Sequence, residues 1–289
     1  MPDPISYFTE SKKLVLQSGL YLVATPIGNM RDMTLRAIDT LMAADIVACE
    51  DTRVSGKLFH LMGLSKKLVP YHDHNADQMR PEIMARIREG QSIALISDAG
   101  MPLISDPGYK LVRDCLAAGL YVTSLPGANA PLTALQLSGL PSDQFAFLGF
   151  LPSKQGARQE MLRAWKNVPA TLVMFETAPR LEKSCRDILQ VLGNRKMTVL
   201  RELTKKFEDI WPLSAAEILA KLEAEGEPKG EIVLVIGRDE TPDEIDLDDL
   251  LKKALEKLSV KEAAALVAGQ TGVPKKQVYA RALELKDEN

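Results

Sequence analysis

From Gly19 onward the chain alternates between short apolar runs and longer amphipathic stretches. LYLVAT (20–25), DIVACE (45–50), KLVPYH (67–72), SIALIS (92–97) and YVTSLP (121–126) have strand length and strand composition. Between them, segments such as 33–44 and 76–89 carry apolar residues at helical spacing. Alternating strands and helices predict a mostly parallel sheet with both faces covered. PGANAPLTALQLSGLPSD, within 126–145, breaks the rhythm with Pro, Gly and small residues and marks a seam between domains. The alternation then resumes with FAFLGF, a helix to about Trp165, TLVMFE, another helix and MTVLREL. EIVLVIG is the last apolar strand, and no internal repeat is visible.

After Arg238 the pattern changes. DETPDEIDLDD reads as an acidic linker, and 247–289 is helical with no strand candidate. Ser259 and Glu262 fit a capping box before the small-residue run AAALVA. Thr271-Gly272-Val273-Pro274 is a turn, and Lys275-Lys276-Gln277-Val278 opens the next helix. Helix, short Gly turn, helix with a basic entrance is a helix-turn-helix pattern. The plainer alternative is a helical hairpin that caps the fold or supports a dimer. The expected division is therefore a loose tail over 1–18, an α/β domain over 19–127, a second over 128–240, and linker plus helical module over 241–289.

Composition narrows the class. Of 289 residues, 46% are hydrophobic but only 5% aromatic, so the cores must rest on Leu, Val, Ile, Ala and Met. The net charge of −3 excludes a general polycation, and a nucleic-acid partner would have to meet a local basic patch. Cys49, Cys115 and Cys185 lie in apolar or helical stretches without CxxC spacing, which suits buried free thiols in a reducing compartment. No apolar run approaches the roughly 18 residues needed to span a bilayer. The first residues, MPDPISYFTESKK, lack a basic-then-apolar signal pattern. The expected location is the cytoplasm.

Four strand ends carry unusual loops: Thr25-Pro26-Ile27-Gly28-Asn29, Glu50-Asp51-Thr52-Arg53, SDAGMPLISDPG (97–108) and Pro126-Gly127-Ala128-Asn129-Ala130. In a parallel α/β sheet, ligands collect beyond the carboxyl ends of the strands. Four such loops on one edge point to a cofactor cleft. GxxxxGK[ST], GxGxxG with its distant acid, GxSxG and HEXXH are all missing. Bare backbone without a phosphate cradle suits a ligand that has no phosphate. S-adenosylmethionine (SAM) fits, with Asp98 placed to accept hydrogen bonds from its ribose hydroxyls.

TPIGN, EDTR, HDHN (72–75), SDAGMPLISDPG, LPGANA, GLPSD (139–143), GFLP (149–152) and RELTK (201–205) follow one another in a recognisable order. Over roughly 19–289 the chain resembles the bacterial small-subunit methyltransferase I family, which modifies the 2′-hydroxyl of a decoding-centre cytidine in 16S ribosomal RNA. That family lies within the tetrapyrrole (corrin/porphyrin) methylases. The resemblance implies a two-domain α/β fold, usually a homodimer, that binds SAM in the cleft between the domains, with a small C-terminal helix-turn-helix-like module. Carried over by position, the SAM contacts are Pro26, Asp98, Gly100, Met101, Pro102, Asn129, Ala130, Phe175 and Glu176. Met101 stands where threonine is common, Asn129 where cysteine is common, and Thr177-Ala178-Pro179-Arg180 where Ser-Thr-His-Arg is common.

Methyl transfer from a sulfonium to a ribose hydroxyl is an in-line displacement. The protein must position two reactants and drain a proton from the 2′-oxygen. Asp51 is placed to accept that proton or orient the hydroxyl, and Arg53 to grip an adjacent phosphate bidentately. His72 and His74 would share a face if the strand before them continues, and His74 is counted with Asp51 and Arg53 as a catalytic candidate. The plainer readings are a helix N-terminus with capping acids at Glu50 and Asp51, and a polar loop at the histidines. Glu202 and Lys205 face the cleft or form a structural ion pair. No metal cluster is evident.

Arg53, Lys57, Lys66 and Lys67 near the loops, with Lys275, Lys276 and Arg281 on the terminal module, would supply a phosphate grip on RNA. The terminal module would then hold the RNA while the α/β body transfers the methyl group. Asp106 is expected to cap the helix that follows it. Two other readings remain: a methylase of corrinoid or porphyrin precursors, and a non-catalytic RNA-binding assembly factor.

Overall fold

Strands that are apolar on both sides demand cover on both sides, and that requirement builds the first half of the molecule. The computed structural model describes residues 14–239, 247–271 and 273–287. The first five strands are β1 (Gly19–Val23), β2 (Ile46–Cys49), β3 (Leu68–Pro70), β4 (Ser92–Ile96) and β5 (Val122–Leu125). They form one all-parallel sheet in the order β3-β2-β4-β1-β5. Alternate residues Tyr21, Val23, Val47, Cys49, Ala94 and Ile96 pack against Leu41 of α1 (Leu35–Ala43) and Phe59 of α2 (Thr52–Leu61). Their neighbours Leu20, Ile46, Ala48, Ile93 and Leu95 pack the opposite way. They meet Ile83 and Ile87 of α3 (Ala76–Arg88) and Leu111 and Cys115 of α4 (Tyr109–Ala117). Each fully buried Leu or Ile contributes about 1.5–3 kcal/mol, so the doubly covered sheet outweighs any one-sided arrangement.

After β5 the chain changes sheets. Asn129 caps α5 (Ala130–Leu137), its Oδ1 accepting the Leu132 N–H at 2.9 Å. Ala134 and Leu135 of this helix pack with Val173, Val233 and Val235 of the second sheet, and Ile27 joins the same cluster. That sheet runs β6-β7-β10-β8-β9. Its strands are β6 (Phe145–Phe150), β7 (Thr171–Thr177), β8 (Lys196–Arg201), β9 (Asp209–Ser214) and β10 (Glu231–Ile236). The far face is closed by α6 (Gln155–Trp165), α7 (Ala178–Leu192) and α8 (Ala215–Glu225), whose Leu162, Leu181, Ile188 and Ile218 meet Leu172, Met174 and Leu234.

The second sheet departs from the expected parallel arrangement. β6 and β7 are parallel, but β10 is antiparallel to both β7 and β8, and β9 is antiparallel to β8. Every strand–helix–strand unit still joins strands of one direction, and the β8–β9 hairpin alone reverses the chain. Glu202 and Thr204, in left-handed backbone at φ 52° and 64°, make that reversal. β9 (DIWPLS) was not expected as a strand. Its proline lies at the sheet edge, where the absent N–H costs no ladder bond.

Of the expected tail, residues 14–18 are described, and here Leu16 packs against the first core while Ser18 Oγ donates to the Ile87 carbonyl. All three cysteines are buried and free.

The chain divides into two units, ending and restarting at Arg238 and Asp239. The second unit holds α9 (Leu247–Leu255), α10 (Val260–Thr271) and α11 (Lys275–Asp287) around Leu251, Val267, Val278 and Ala282. The capping box forms: Ser259 Oγ donates to Glu262 Oε2 at 2.6 Å and accepts the Glu262 N–H at 3.4 Å. Most of the acidic linker, residues 240–246, and Gly272 of the turn lie outside the described residues. Among the described residues no helix is long and apolar enough to cross a membrane.

Candidate active site

Because the first sheet is wholly parallel, the loops after β1, β2, β4 and β5 emerge on one edge. The loop after β4 is tied to the loop after β1 by a two-way bridge. Thr25 N donates to the Gly100 carbonyl at 2.9 Å, and Gly100 N to the Thr25 carbonyl at 3.1 Å. Gly100 sits at φ +84°, and a Cβ there would lie 3.2 Å from the Ile27 side chain. Leu103 and Ser105 also occupy left-handed backbone, at φ 72° and 66°. Such conformations cost of order 1–3 kcal/mol each and collect at binding sites.

Ser97 Oγ donates to the Asp106 carboxylate, and the Ala99 N–H donates to Ser97 Oγ at 3.2 Å. Asp106 therefore knots the loop and is not the helix cap. That place is taken by Gly108, at φ 132°, because the loop extends two residues further before α4 begins. Burial raises the Asp106 carboxyl above the usual range, with Asp98 and Asp73 adding to it against the Ser97 hydrogen bond.

Between this loop and the second sheet lies a cleft of about 770 Å³. One wall is Ile27, Asp98–Met101, Asn129 and Ala130; the other is Phe150, Phe175, Leu200, Leu203 and Val233. The Phe150 and Phe175 rings stand 5.3 Å apart, tilted by 54°, and give an apolar aromatic surface. The lining carries the carboxylates Asp98, Asp106, Glu176, Glu227 and Glu231 against one ammonium, Lys229. With Glu176 paired to Arg180 and Glu231 to Lys205, Asp98, Asp106 and Glu227 remain against Lys229, a balance that favours a cationic ligand over a phosphorylated one. Volume, the small residues Ala99 and Gly100 in the lining and a half-buried carboxylate at Asp98 together fit SAM.

Most residues expected to hold the cofactor line this cleft: Asp98, Gly100, Met101, Asn129, Ala130, Phe175 and Glu176. Pro26 and Pro102 do not. Pro102 is buried under the loop, and Ile27 presents its side chain where Pro26 was expected. Glu176 is fully engaged: Thr177 N donates to it at 2.8 Å, Ser184 Oγ donates to it, and Arg180 pairs with it at 3.2 Å. Phe150 and the segment Glu227–Gly230 were missed, although the Gly-Glu-Pro-Lys-Gly run before EIVLVIG was a legible loop.

A second, smaller pocket of about 430 Å³ is lined by Glu50, Asp51, Thr52, Arg53, Pro70, His72 and Asp98. Asp98 belongs to both walls. Asp51 is the cap of α2, accepting the Arg53 N–H at 2.8 Å, and its carboxylate also takes the Arg53 guanidinium at 2.6 Å. The Arg53 hydrogen bonds hold the Asp51 carboxyl down at about 2. The plainer reading of Asp51 as a capping acid thus holds, and Arg53 is paired with it. His72 lines the pocket with its Nδ1 buried and without a hydrogen bond, whereas His74 is exposed and lies outside the lining. The strand ends at Pro70, so the two histidines sit in a turn with rings 6.0 Å apart and not on a strand face. Glu202 and Lys205 form an ion pair at 2.7 Å, with Glu231 at 3.0 Å completing it, so the structural reading applies there. Arg281 is likewise taken up, by Asp248 at 2.5 Å and Glu284 at 2.6 Å, while Lys275 and Lys276 remain exposed.

Residues 19–219 match the model of the tetrapyrrole (corrin/porphyrin) methylases, and residues 241–286 match the RsmI C-terminal HTH domain. Proteins named ribosomal RNA small subunit methyltransferase I are similar over nearly the whole chain. The one from Mesorhizobium japonicum is 48% identical, covering 96% of this chain and 96% of its own. The one from Erythrobacter litoralis is 52% identical, covering 94% and 96%. Among solved structures, diphthine synthase superposes with a TM-score of 0.59 at 12% identity, covering 75% of this chain and 89% of its own. The uroporphyrin-III C-methyltransferase of Thermus thermophilus, complexed with S-adenyl homocysteine, gives 0.53 at 22% identity, covering 76% and 97%. The α/β body and the terminal helical unit together place this chain in the ribosomal RNA small subunit methyltransferase I family, within the tetrapyrrole (corrin/porphyrin) methylases.

Proposed function

We propose that this chain methylates the ribose 2′-hydroxyl of a cytidine in the decoding centre of 16S ribosomal RNA, using SAM. It would act in the cytoplasm as a homodimer on the small ribosomal subunit. The observation that carries the reading is the pair of pockets joined at Asp98: one large, apolar-floored and acid-lined, the other smaller and polar. The first suits the cofactor. Asp98 would hold its ribose hydroxyls, the Phe150–Phe175 surface its adenine, and the backbone around Gly100 its close approach. When bound, SAM supplies an activated methyl group. The protein's share is then orientation, exclusion of water and handling of the hydroxyl proton. The second pocket is where a ribose would present its hydroxyl, and Lys275 and Lys276 of the terminal unit would contact RNA phosphates.

The test is transfer of labelled methyl from SAM to naked 16S rRNA, assembled small subunits and transfer RNA, mapped by 2′-O-methyl-sensitive primer extension. Label at one small-subunit cytidine is expected. Label on none of the RNAs, with SAM still bound, would sink the proposal and direct attention to small-molecule acceptors.

A further inference from the structure

We infer that Glu50, and not its neighbour Asp51, accepts the proton from the ribose hydroxyl; the inference rests on the ribose methylation proposed above. Glu50 follows β2 directly and lines the smaller pocket beside Asp98, the residue that also faces the larger cleft. Of the two adjacent carboxylates only one is available. Asp51 is bound through its oxygens to the backbone and guanidinium of Arg53. A proton acceptor there would first have to break a bidentate ion pair. Glu50 has no hydrogen bond or ion pair among the described residues.

Its surroundings suit the task. The charged groups nearest it are acids from three other segments: Asp106 and Asp98 from the loop after β4, Asp73 from the turn after β3, and Asp51 at the start of α2. His72 and the Asp51-paired Arg53 complete the pocket. Burial, and after it these like charges, raise the Glu50 carboxyl above the ordinary glutamate range. A base is most effective when its pKa lies near the working pH, and an upward shift moves a carboxylate in that direction. In the step, the 2′ O–H bond breaks and the proton bonds to a Glu50 carboxylate oxygen. The bonding electrons stay on the ribose oxygen, which would bond to the methyl carbon as the carbon–sulfur bond of SAM breaks; that electron pair would go to sulfur, with S-adenosylhomocysteine as the leaving group.

The test compares the full-length wild type with Glu50→Gln and Glu50→Asp. Three quantities are read: the single-turnover transfer rate to assembled small subunits across pH, SAM affinity by calorimetry, and the carboxyl titration of the unliganded protein by carbon-13 NMR. The resonance missing in Glu50→Gln identifies Glu50. Removing a general base is expected to lower the rate by roughly 10²–10⁴-fold. SAM affinity should stay within about twofold, since the group acts on the acceptor and not on the cofactor. The wild-type rate should fall on the acid side as Glu50 protonates, that limb should vanish in Glu50→Gln, and Glu50→Asp should restore part of it. The Glu50 resonance should titrate above the usual glutamate range. A Glu50→Gln rate equal to wild type, or an acid limb that survives the substitution, would overturn the inference while leaving ribose methylation standing. A wild type that labels no RNA, whatever its Glu50 titration, would overturn ribose methylation and this step with it.

Discussion

Replacing Asp98 with alanine removes the one carboxylate shared by both pockets. One of its oxygens already accepts the Asp51 N–H at 3.2 Å, which leaves the other for a ligand hydroxyl. A hydrogen bond to a charged group contributes about 1.5–3 kcal/mol, and each 1.4 kcal/mol is tenfold in affinity. Asp98→Ala should therefore raise the SAM dissociation constant roughly 10- to 150-fold. Isothermal titration calorimetry on the full chain reads this directly, with thermal unfolding to establish that the variant is folded. pH gives a second handle. Burial raises the Asp98 carboxyl above the usual range, only partly offset by the Asp51 N–H. In the wild type, SAM affinity should accordingly weaken as pH falls through that raised value, at higher pH than an ordinary aspartate would dictate. Asp98→Ala should flatten that dependence. A folded Asp98→Ala with wild-type SAM affinity would refute the placement of the cofactor's polar anchor at this loop.

Other outcomes follow from the packing. A Cβ at Gly127 would lie 2.6 Å from that of Ala24, so Gly127→Ala should destabilise the protein by about 1–3 kcal/mol; an unchanged melting temperature would contradict that contact. Arg158 and Asp187 form a buried pair at 2.6 Å with side chains 5% and 1% exposed, and Arg158→Ala should cost about 3–5 kcal/mol in chemical denaturation. Burial alone would raise the Asp187 carboxyl, but hydrogen bonds from Gln159, Gln155 and Arg158 outweigh it and hold it below the usual range. Its contribution is thus present above the unfolded value of about 4 and lost as pH falls through the lower folded value, so the Arg158→Ala deficit should shrink in acid. A chain ending at Arg238 should bind small-subunit RNA about tenfold or more weakly, with a shallower salt dependence, and keep its SAM affinity; equal RNA affinity would remove the terminal unit from RNA recognition.

The first sheet was legible because its strands are buried on both faces: all of IVAC and all of SIALI are buried, and runs of that kind read clearly. Its four loops converge because parallel strands share one carboxyl edge, a consequence of topology alone. The reversal in the second sheet was not legible. It turns on Glu202 and Thr204, ordinary residues held in left-handed backbone, without the glycine that usually announces such a turn. Pro212 concealed β9, since a proline speaks against a strand unless the edge position is known.

The site divides in the same way. The Asn129 cap follows from local sequence, whereas the bridge at Gly100 reaches Thr25 on another strand end and follows only from the fold. Side-chain partners do not follow from local sequence either: EDTR offers two adjacent acids, and only the fold shows that Arg53 occupies Asp51 and leaves Glu50 unpaired among the described residues. HDHN presents two histidines, and the end of β3 at Pro70 decides that His72 and not His74 reaches the pocket.

The proposed acceptor is a ribose hydroxyl, not a base. The most direct measurement is nucleoside mass spectrometry of small-subunit RNA after transfer of an isotopically labelled methyl group by the purified protein. Label is expected in a single 2′-O-methylcytidine, with the methyl mass retained on the sugar fragment. Label on the base fragment, or in no nucleoside of that RNA, would contradict it.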